Sequence, residues 1–403
     1  MHYINYLKQP LPFAWVQIVA PASIHTYNDL ELQIGERYDL MKLSEIDINR
    51  MSQVVYLDIP ASLLRQHVLT LGDLSDYYHK TIAGRLFLYR RFGSIPDEYN
   101  NWKSLLVILK KEYANWKITR IANDNLPEQT GFYGCTFIPE NGLPVVAFRG
   151  SEMLGDKDHR NDYETNMALA YTIETPQQKK AAEYLRRYAD AFPEGYVMTG
   201  HSLGGNLAMY GAIVCCKAQQ NLNACMAFNA PGFNRDFINA HASGLQKAAT
   251  RLFNYQNHFD LISSIFYSGV EPIILTSTCN PYLGNNRMVT NAVYPHSNFC
   301  FKIKDGHFVR SEQKKKCIVA QEVHKLSLDL LDLPKEDRVE LAAMALKLFY
   351  DDNTTVGRLI TMAQMLRKVI TSKRSFSASN TLPKLEQDLL EVEQACYKLC
   401  REA

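Results

Sequence analysis

The stretch Tyr196-Val197-Met198-Thr199-Gly200-His201-Ser202-Leu203-Gly204-Gly205-Asn206-Leu207-Ala208 constrains this chain more than any other part of it. Its first half is a short apolar run that reads as a buried strand. Its second half opens a helix that continues through Met209, Ala212, Ile213 and Val214. Between them lies Gly200-x-Ser202-x-Gly204, the pattern of a nucleophile elbow. A strand that turns abruptly into a helix holds its serine in a strained backbone conformation, and side chains two residues to either side would collide there, so glycine is needed at both places. The turn lifts the Ser202 hydroxyl above the sheet edge and leaves the Leu203 N–H at a helix N-terminus, where it can donate to an oxyanion. The plainer reading is a Gly-rich turn without chemistry. The flanking strand and helix make the motif far more specific than the bare pattern.

The rest of the composition excludes more than it suggests. With 403 residues, 46% of them hydrophobic, and a formal charge of +2, the chain can bury one large α/β core plus additions. The near-neutral balance gives no reason to expect nucleic acid or an acidic membrane as partner. Nine scattered cysteines include no Cys-x-x-Cys pair and no cluster with histidine, so neither a disulfide framework nor a metal site is expected. Cys215 and Cys216 are read as small buried residues on the helix after the elbow. A reducing, cytoplasmic setting follows, with secretion lacking a conventional signal peptide as the alternative. No run approaches the roughly 18 apolar residues of a membrane span. Leu11 to Ala22 is apolar but contains Gln17 and has little charge before it, which suits a packed arm better than a signal peptide.

Taken in order, residues 1–34 carry Pro10, Pro12 and Pro21 without a sustained period and read as an irregular extension. Helical patterning starts near Leu43, with Ser44-x-x-Asp47 as a capping pair, and helices are expected over 61–70, 73–91 and 101–112. Residues 93–96 read as a break between the last two. The period then becomes two: 116–121 and 131–138 read as antiparallel strands and 143–148 as a third. Beyond Arg149-Gly150-Ser151 strands alternate with helices: a helix at 176–191, the elbow, and strands at 224–229, 251–255, 272–277 and 299–303. This alternation predicts an α/β fold with a mostly parallel central sheet flanked by helices. Sites in such sheets lie beyond the strands' carboxyl ends, where Ser151, Ser202 and Asp260 all fall. Helices at 319–331, 335–350 and 355–371, a Ser-rich stretch at 372–381 and a last helix at 383–402 complete the chain. The last helix carries Leu385, Leu389, Val392, Cys396 and Leu399 on one stripe, read as packing on its own domain rather than as a dimerising coil. The domains expected are the extension 1–34, a hydrolase unit 35–350 with N-terminal helices, and a C-terminal helical extension 351–403.

A serine nucleophile needs a histidine base within reach, oriented by a carboxylate. In α/β-hydrolases the order is Ser, acid, His, so both partners must follow Ser202. Asp260 follows a predicted core strand, whereas Asp236 reads as a helix cap and Asp305, in Lys304-Asp305-Gly306, as a turn residue. For the base, His296 in a loop between predicted strands competes with His307. His258 lies two residues before Asp260 and points to the opposite face, and His201 suits a packing or supporting role. A second oxyanion donor is expected from Ser151, and Arg149 is read as a structural partner for a carboxylate such as Asp162.

Phe148-Arg149-Gly150-Ser151, Asn161-Asp162-Tyr163, the Gly200 to Ala208 segment and Asn229-Ala230-Pro231-Gly232-Phe233 together resemble the Mbeg1-like proteins. These are bacterial lipase-like α/β-hydrolases related to the class 3 lipases. The Leu43-Ser44-Glu45-Ile46-Asp47 region and Val54 to Leu57 resemble that family's N-terminal helices, so the likeness spans roughly 40–350. It implies an α/β-hydrolase-like fold with helical N- and C-terminal additions. It also implies that Ser151 serves the oxyanion hole with Leu203, that Asp260 is the acid, and that His296 in His296-Ser297-Asn298-Phe299 is the base. The chain departs from the family in carrying Leu203 where a lysine is frequent. The expected activity is a lipase- or esterase-like serine hydrolase acting on a small-molecule or lipid ester through an acyl-enzyme, with no cofactor, no metal and at most transient membrane-surface contact. The alternatives are an inactive binding or regulatory scaffold and an acyltransferase. Acyl length, head group and oligomeric state are not readable.

Overall fold

The structure, a computed structural model, describes residues 42–93, 96–125, 128–152, 160–281, 294–340 and 381–402, together with 360, 363, 364 and 367. The expected extension 1–34, most of the helices at 335–350 and 355–371, and the Ser-rich stretch lie outside these residues.

The N-terminal helices are set by their caps. In α1 (Glu45–Val54) the Ser44 hydroxyl accepts the Asp47 N–H at 3.1 Å while Asp47 Oδ2 accepts the Ser44 N–H at 2.7 Å, as the sequence pair predicts. The single helix expected at 73–91 is instead two, α2 (Leu71–Lys80) and α3 (Ile82–Phe92). Thr81 between them is extended, and its hydroxyl donates to Tyr77 O at 2.7 Å and accepts the Gly84 N–H at 2.9 Å. A threonine that satisfies both helix ends this way competes with helix continuation. The helix expected from 101 begins earlier, as α4 (Pro96–Glu112). Its proline occupies the first position and Asp97 and Glu98 fill the first turn, so part of the predicted break is a helix start. Of the helix expected at 61–70 only Ala61–Leu64 forms.

Seven strands follow in spatial order: β1 (Lys117–Asp124), β2 (Phe132–Ile138), β3 (Val145–Phe148), β4 (Tyr196–His201), β5 (Leu222–Phe228), β6 (Leu252–Asn257) and β7 (Ile273–Leu275). β1, β2 and β3 pair antiparallel, and every pair from β3 to β7 is parallel. The period of two divides the strand side chains between two cores. Val145, Ala147, Val197 and Met226 join the cluster of α1, α2 and α4 on one face. Val146, Phe148, Met198 and Ala227 join the other face with α5 (Pro176–Tyr188) and α6 (Leu203–Val214). The fold is α/β-hydrolase-like, a mostly parallel sheet between helices.

Several local expectations are corrected. The helix α7 (Arg235–Ala240) is capped by Asn234, whose side chain accepts the Phe237 N–H at 2.8 Å, while Asp236 sits in its first turn. Cys215 closes α6 and Cys216, exposed, begins the next helix. The strand expected at 299–303 is a short 3-10 turn (Asn298–Cys300) followed by a two-residue ribbon, Ile303–Lys304 with His307–Phe308. Phe299, half-buried, packs edge-on to Trp102, while Phe301, buried beside Phe228, makes a single antiparallel bridge with Ser277 just beyond β7. There the Lys302 N–H donates to Thr276 O and the Thr278 N–H to Cys300 O, so only the middle of the expected segment pairs with the sheet's edge. Asp305 and Gly306 form the tight turn of that ribbon, both at positive φ, as the sequence suggests. Two helices close the far side: α8 (Ile318–Leu330) and α9 (Thr381–Glu402), whose Leu385, Leu389, Val392 and Cys396 pack with Val319, Ala320 and Val323. That stripe is used within the chain.

The elbow depends on backbone proximity. A Cβ on Gly200 would lie 2.2 Å from the Gly204 carbonyl oxygen, and one on Gly204 would lie 2.2 Å from the Phe148 oxygen. Because both obstacles are backbone, neither can move aside. Gly204→Ala is expected to cost about 3 kcal/mol or more in urea unfolding. Gly306→Ala, whose Cβ would meet nothing within 4 Å, should cost only about 1 kcal/mol from its positive φ. Equal losses for the two variants would contradict the packing account.

Candidate active site

Ser202 stands between β4 and α6 at φ 55° and ψ −129°, a conformation that a side chain-bearing residue adopts only when its surroundings impose it. Its own N–H donates to Phe228 O at 2.9 Å and its carbonyl accepts the Asn206 N–H at 3.1 Å, so strand and helix each hold one end of the bend. The hydroxyl lies 2.8 Å from His296 Nε2, and His296 Nδ1 lies 3.0 Å from Asp260 Oδ2. A carboxylate only accepts, so Nδ1 carries the proton and Nε2 is left to accept from Ser202.

Asp260 follows β6 and is 1% exposed. Its Oδ1 accepts the Ile262 N–H at 3.0 Å, and Oδ2 accepts both the N–H and the hydroxyl of Ser263. Burial pushes its pKa up, but His296, Lys316 and Ser263 together outweigh that and hold it well below the usual carboxylate range. The acid therefore stays ionised without taking the histidine's proton.

His296 comes from a single 3-10 turn (Tyr294–His296), and its backbone carbonyl is clamped twice. His201 Nε2 donates to it at 2.7 Å and Asn229 Nδ2 at 2.9 Å. Asn229, just after β5 at φ 48°, also accepts the Asn257 N–H at 2.8 Å, and Asn257 Nδ2 donates to Cys300 O at 3.0 Å. Two buried amides at the ends of neighbouring strands thus hold the loop that carries the imidazole. His201 Nδ1 receives the Tyr56 hydroxyl at 3.1 Å, since its Nε2 must be the donor. Desolvation and the neighbouring His296 lower the His201 pKa to about 3, with the bond to His296 O and the Asp260 charge opposing. Glu98, in the first turn of α4, borders the same loop and has its pKa raised by burial, offset by Ser297 and His296. Reasoning from sequence missed Tyr56, Glu98, Asn229 and Asn257 as parts of this site. The signal available for the two amides was an asparagine closing each of two apolar strands.

Ser151, after β3, has its hydroxyl fixed by Asn166 Nδ2 at 2.7 Å. The Gly150 backbone presses on the elbow, where a Cβ would lie 2.4 Å from His201 O and 3.1 Å from Gly204 N. Leu203 begins α6 fully buried. Arg149 is a structural partner as expected, but to different acids. Its Nη1 lies 2.8 Å from Asp58 and 2.5 Å from Glu152, its Nε donates to Val55 O, and its guanidinium covers the Tyr133 ring. Asp162 instead accepts the Glu152 N–H at 2.9 Å and Gln177 Nε2 at 2.7 Å. His307 is exposed on the ribbon opposite Lys304, and His258 Nδ1 donates to Lys315 O at 2.8 Å. Of the histidines weighed as base, His296 is the one placed against Ser202. Among the described residues no three His, Cys, Asp or Glu side chains form a metal-binding group, and no helix is long and apolar enough to cross a membrane.

The elbow and the mostly parallel sheet give the chain an α/β-hydrolase-like fold, with a serine, a histidine and a carboxylate in contact at the sheet's carboxyl edge. A family model described as Mbeg1-like matches residues 107–345, more than half the chain, and the chain belongs to that family. No curated protein matches it. Among solved structures it is similar to the native Rhizomucor miehei lipase propeptide complex, at 13% identity and a TM-score of 0.29, over 59% of this chain and 70% of that one.

The sign of His201's shift gives a test of the clamp. Its folded pKa of about 3 lies below the ordinary 6.5, so the unfolded chain binds more protons between those values. Stability from this group is complete above pH 6.5 and is lost as pH falls toward 3. In urea unfolding at pH 7 and pH 4.5, His201→Gln is expected to lose about 2–3 kcal/mol less than wild type over that interval. Parallel losses would show that His201 is not held neutral.

Proposed function

We propose that this protein is a serine hydrolase of carboxylic esters. The observation that carries the reading is one imidazole spanning the Ser202 hydroxyl at 2.8 Å and the Asp260 carboxylate at 3.0 Å. His296 Nε2 takes the hydroxyl proton as Oγ attacks the acyl carbon, and Asp260 stabilises the imidazolium. The oxyanion is received by the Leu203 N–H, with the Ser151 backbone and hydroxyl as the second donor. Collapse expels the alcohol with the proton returned from Nε2, leaving an acyl group on Ser202. Water, deprotonated by the same nitrogen, then releases the acid. Membership of a lipase-like family supports acyl or lipid esters as the substrate class.

A second reading, a hydrolase-shaped scaffold with a silent pocket, is favoured by one observation: Ser202 is only 8% exposed. The two are separated by reactivity. A fluorophosphonate is expected to label wild type once, at Ser202, and not to label Ser202→Ala. Hydrolysis of p-nitrophenyl esters of graded chain length should fall by about 10³-fold or more in Ser202→Ala and in His296→Ala. Folded protein that never reacts at Ser202 would overturn the hydrolase reading in favour of the scaffold.

A further inference from the structure

Asp260 is engaged by a buried cation that the reaction scheme leaves unused. Lys316, directly before the cap of α8, is 8% exposed, and all three of its ammonium protons are received inside the protein. Nζ donates to Asp260 O at 2.7 Å, to Ser263 Oγ at 2.6 Å and to Ser264 Oγ at 3.0 Å. Both serines pass the contact on: Ser263 Oγ donates to Asp260 Oδ2 at 2.5 Å and Ser264 Oγ to Asp260 O at 3.1 Å. With the ammonium donating to its oxygen, the Ser263 hydroxyl turns its own proton to Asp260 Oδ2, the oxygen facing His296.

We propose that Lys316 is a positioning residue for the Ser202–His296–Asp260 site, orienting Asp260 Oδ2 toward His296 through the Ser263 hydroxyl; the role rests on the hydrolase reading above. Burying an ammonium is costly unless its charge and protons are matched, and the matching charge is the Asp260 carboxylate. Burial lowers the Lys316 pKa to about 8, while Asp260 and Cys317 pull it upward. The other titratable groups that feel it are His258 and His324, both with pKa lowered chiefly by burial, and neither competes as an anion. The surrounding segment is tied down as well. Cys317 N donates to His258 O, Gln321 Nε2 to Lys316 O and His324 Nδ1 to Ser264 O. Helix α8, late in the chain, thereby reaches the acid that follows β6.

The bland alternative is that Lys316 only glues α8 in place, and a control separates the two. Val319, fully buried on the same helix, loosens that docking when cut to alanine without touching the Ser263 relay. Full-length Lys316→Met, Ser263→Ala, the double variant and Val319→Ala are compared in two ways. One is the rate of fluorophosphonate labelling at Ser202; the other is the NMR signal of the His296 Nδ1–H proton. Lys316→Met and Ser263→Ala are each expected to slow labelling by about tenfold to a hundredfold. The double variant should be no slower than the worse single one, because the two act in series. The Nδ1–H signal should move in both and stay in place in Val319→Ala. Labelling and signal in Lys316→Met matching those of Val319→Ala, or losses that multiply in the double variant, would overturn the proposal. Should wild type itself fail to label, the hydrolase reading falls separately. The Nδ1–H signal then decides the positioning role alone, an unmoved signal in Lys316→Met counting against it.

Discussion

The backbone at Ser202, forced to φ 55° and ψ −129°, is the conformation to which the rest of the sheet's carboxyl edge is fitted. Such a conformation costs on the order of 1–3 kcal/mol. It persists because β4 is sandwiched between β3 and β5, and because α6, buried along its length, leaves the strand with no room to relax. The strain and the packing are therefore one feature. Phe148 O stands where a side chain at position 204 would be, and the Gly204 carbonyl where one at position 200 would be. The hydroxyl is placed by backbone atoms, which cannot change rotamer.

Around this rigid point the other groups are held by polar contacts that the sheet itself terminates. Parallel strands end at one edge, so β3, β4, β5 and β6 deliver Ser151, Ser202, Asn229 and Asp260 side by side. The exception is the imidazole, which belongs to a turn outside the sheet. Its carbonyl is accordingly pinned by His201 and Asn229, its ring by Asp260, and its loop by Asn257. His201 fits this task because it is kept neutral. A protonated ring at that place would repel His296 and would have no lone pair for Tyr56.

What was legible in the sequence follows from how local each cause is. The elbow, its strand and its helix depend on residues within a dozen positions, and the pattern of glycines and apolar residues carries them in full. The antiparallel-to-parallel change along the sheet was legible from the change in period. The contact between Ser202 and His296 spans 94 residues, and that between Tyr56 and His201 spans 145. Local position, a loop between predicted strands, favours His296 over His307 only weakly; the family resemblance strengthens that preference. Thr81 and Cys215 were absorbed into helices because an isolated threonine or cysteine does not interrupt a helical period. Phe299 and Phe301 read as one strand because alternation cannot say how many of its residues pair: Phe301 bridges Ser277, whereas Phe299 is covered by the Trp102 side chain. Arg149 needed a carboxylate, but Asp58 lies 91 positions away in sequence and could not be chosen over Asp162.

The central claim is that this assembled edge makes Ser202 a nucleophile that accepts an acyl group. It is met most directly by mixing the protein with an activated p-nitrophenyl ester, quenching within one turnover and mapping the peptides by mass spectrometry. The account predicts a single acyl adduct on the peptide containing Ser202, formed with the first equivalent of p-nitrophenol and absent when His296 is replaced by alanine. Release of p-nitrophenol through many turnovers with no adduct at Ser202, or an adduct that forms equally well without His296, would contradict it.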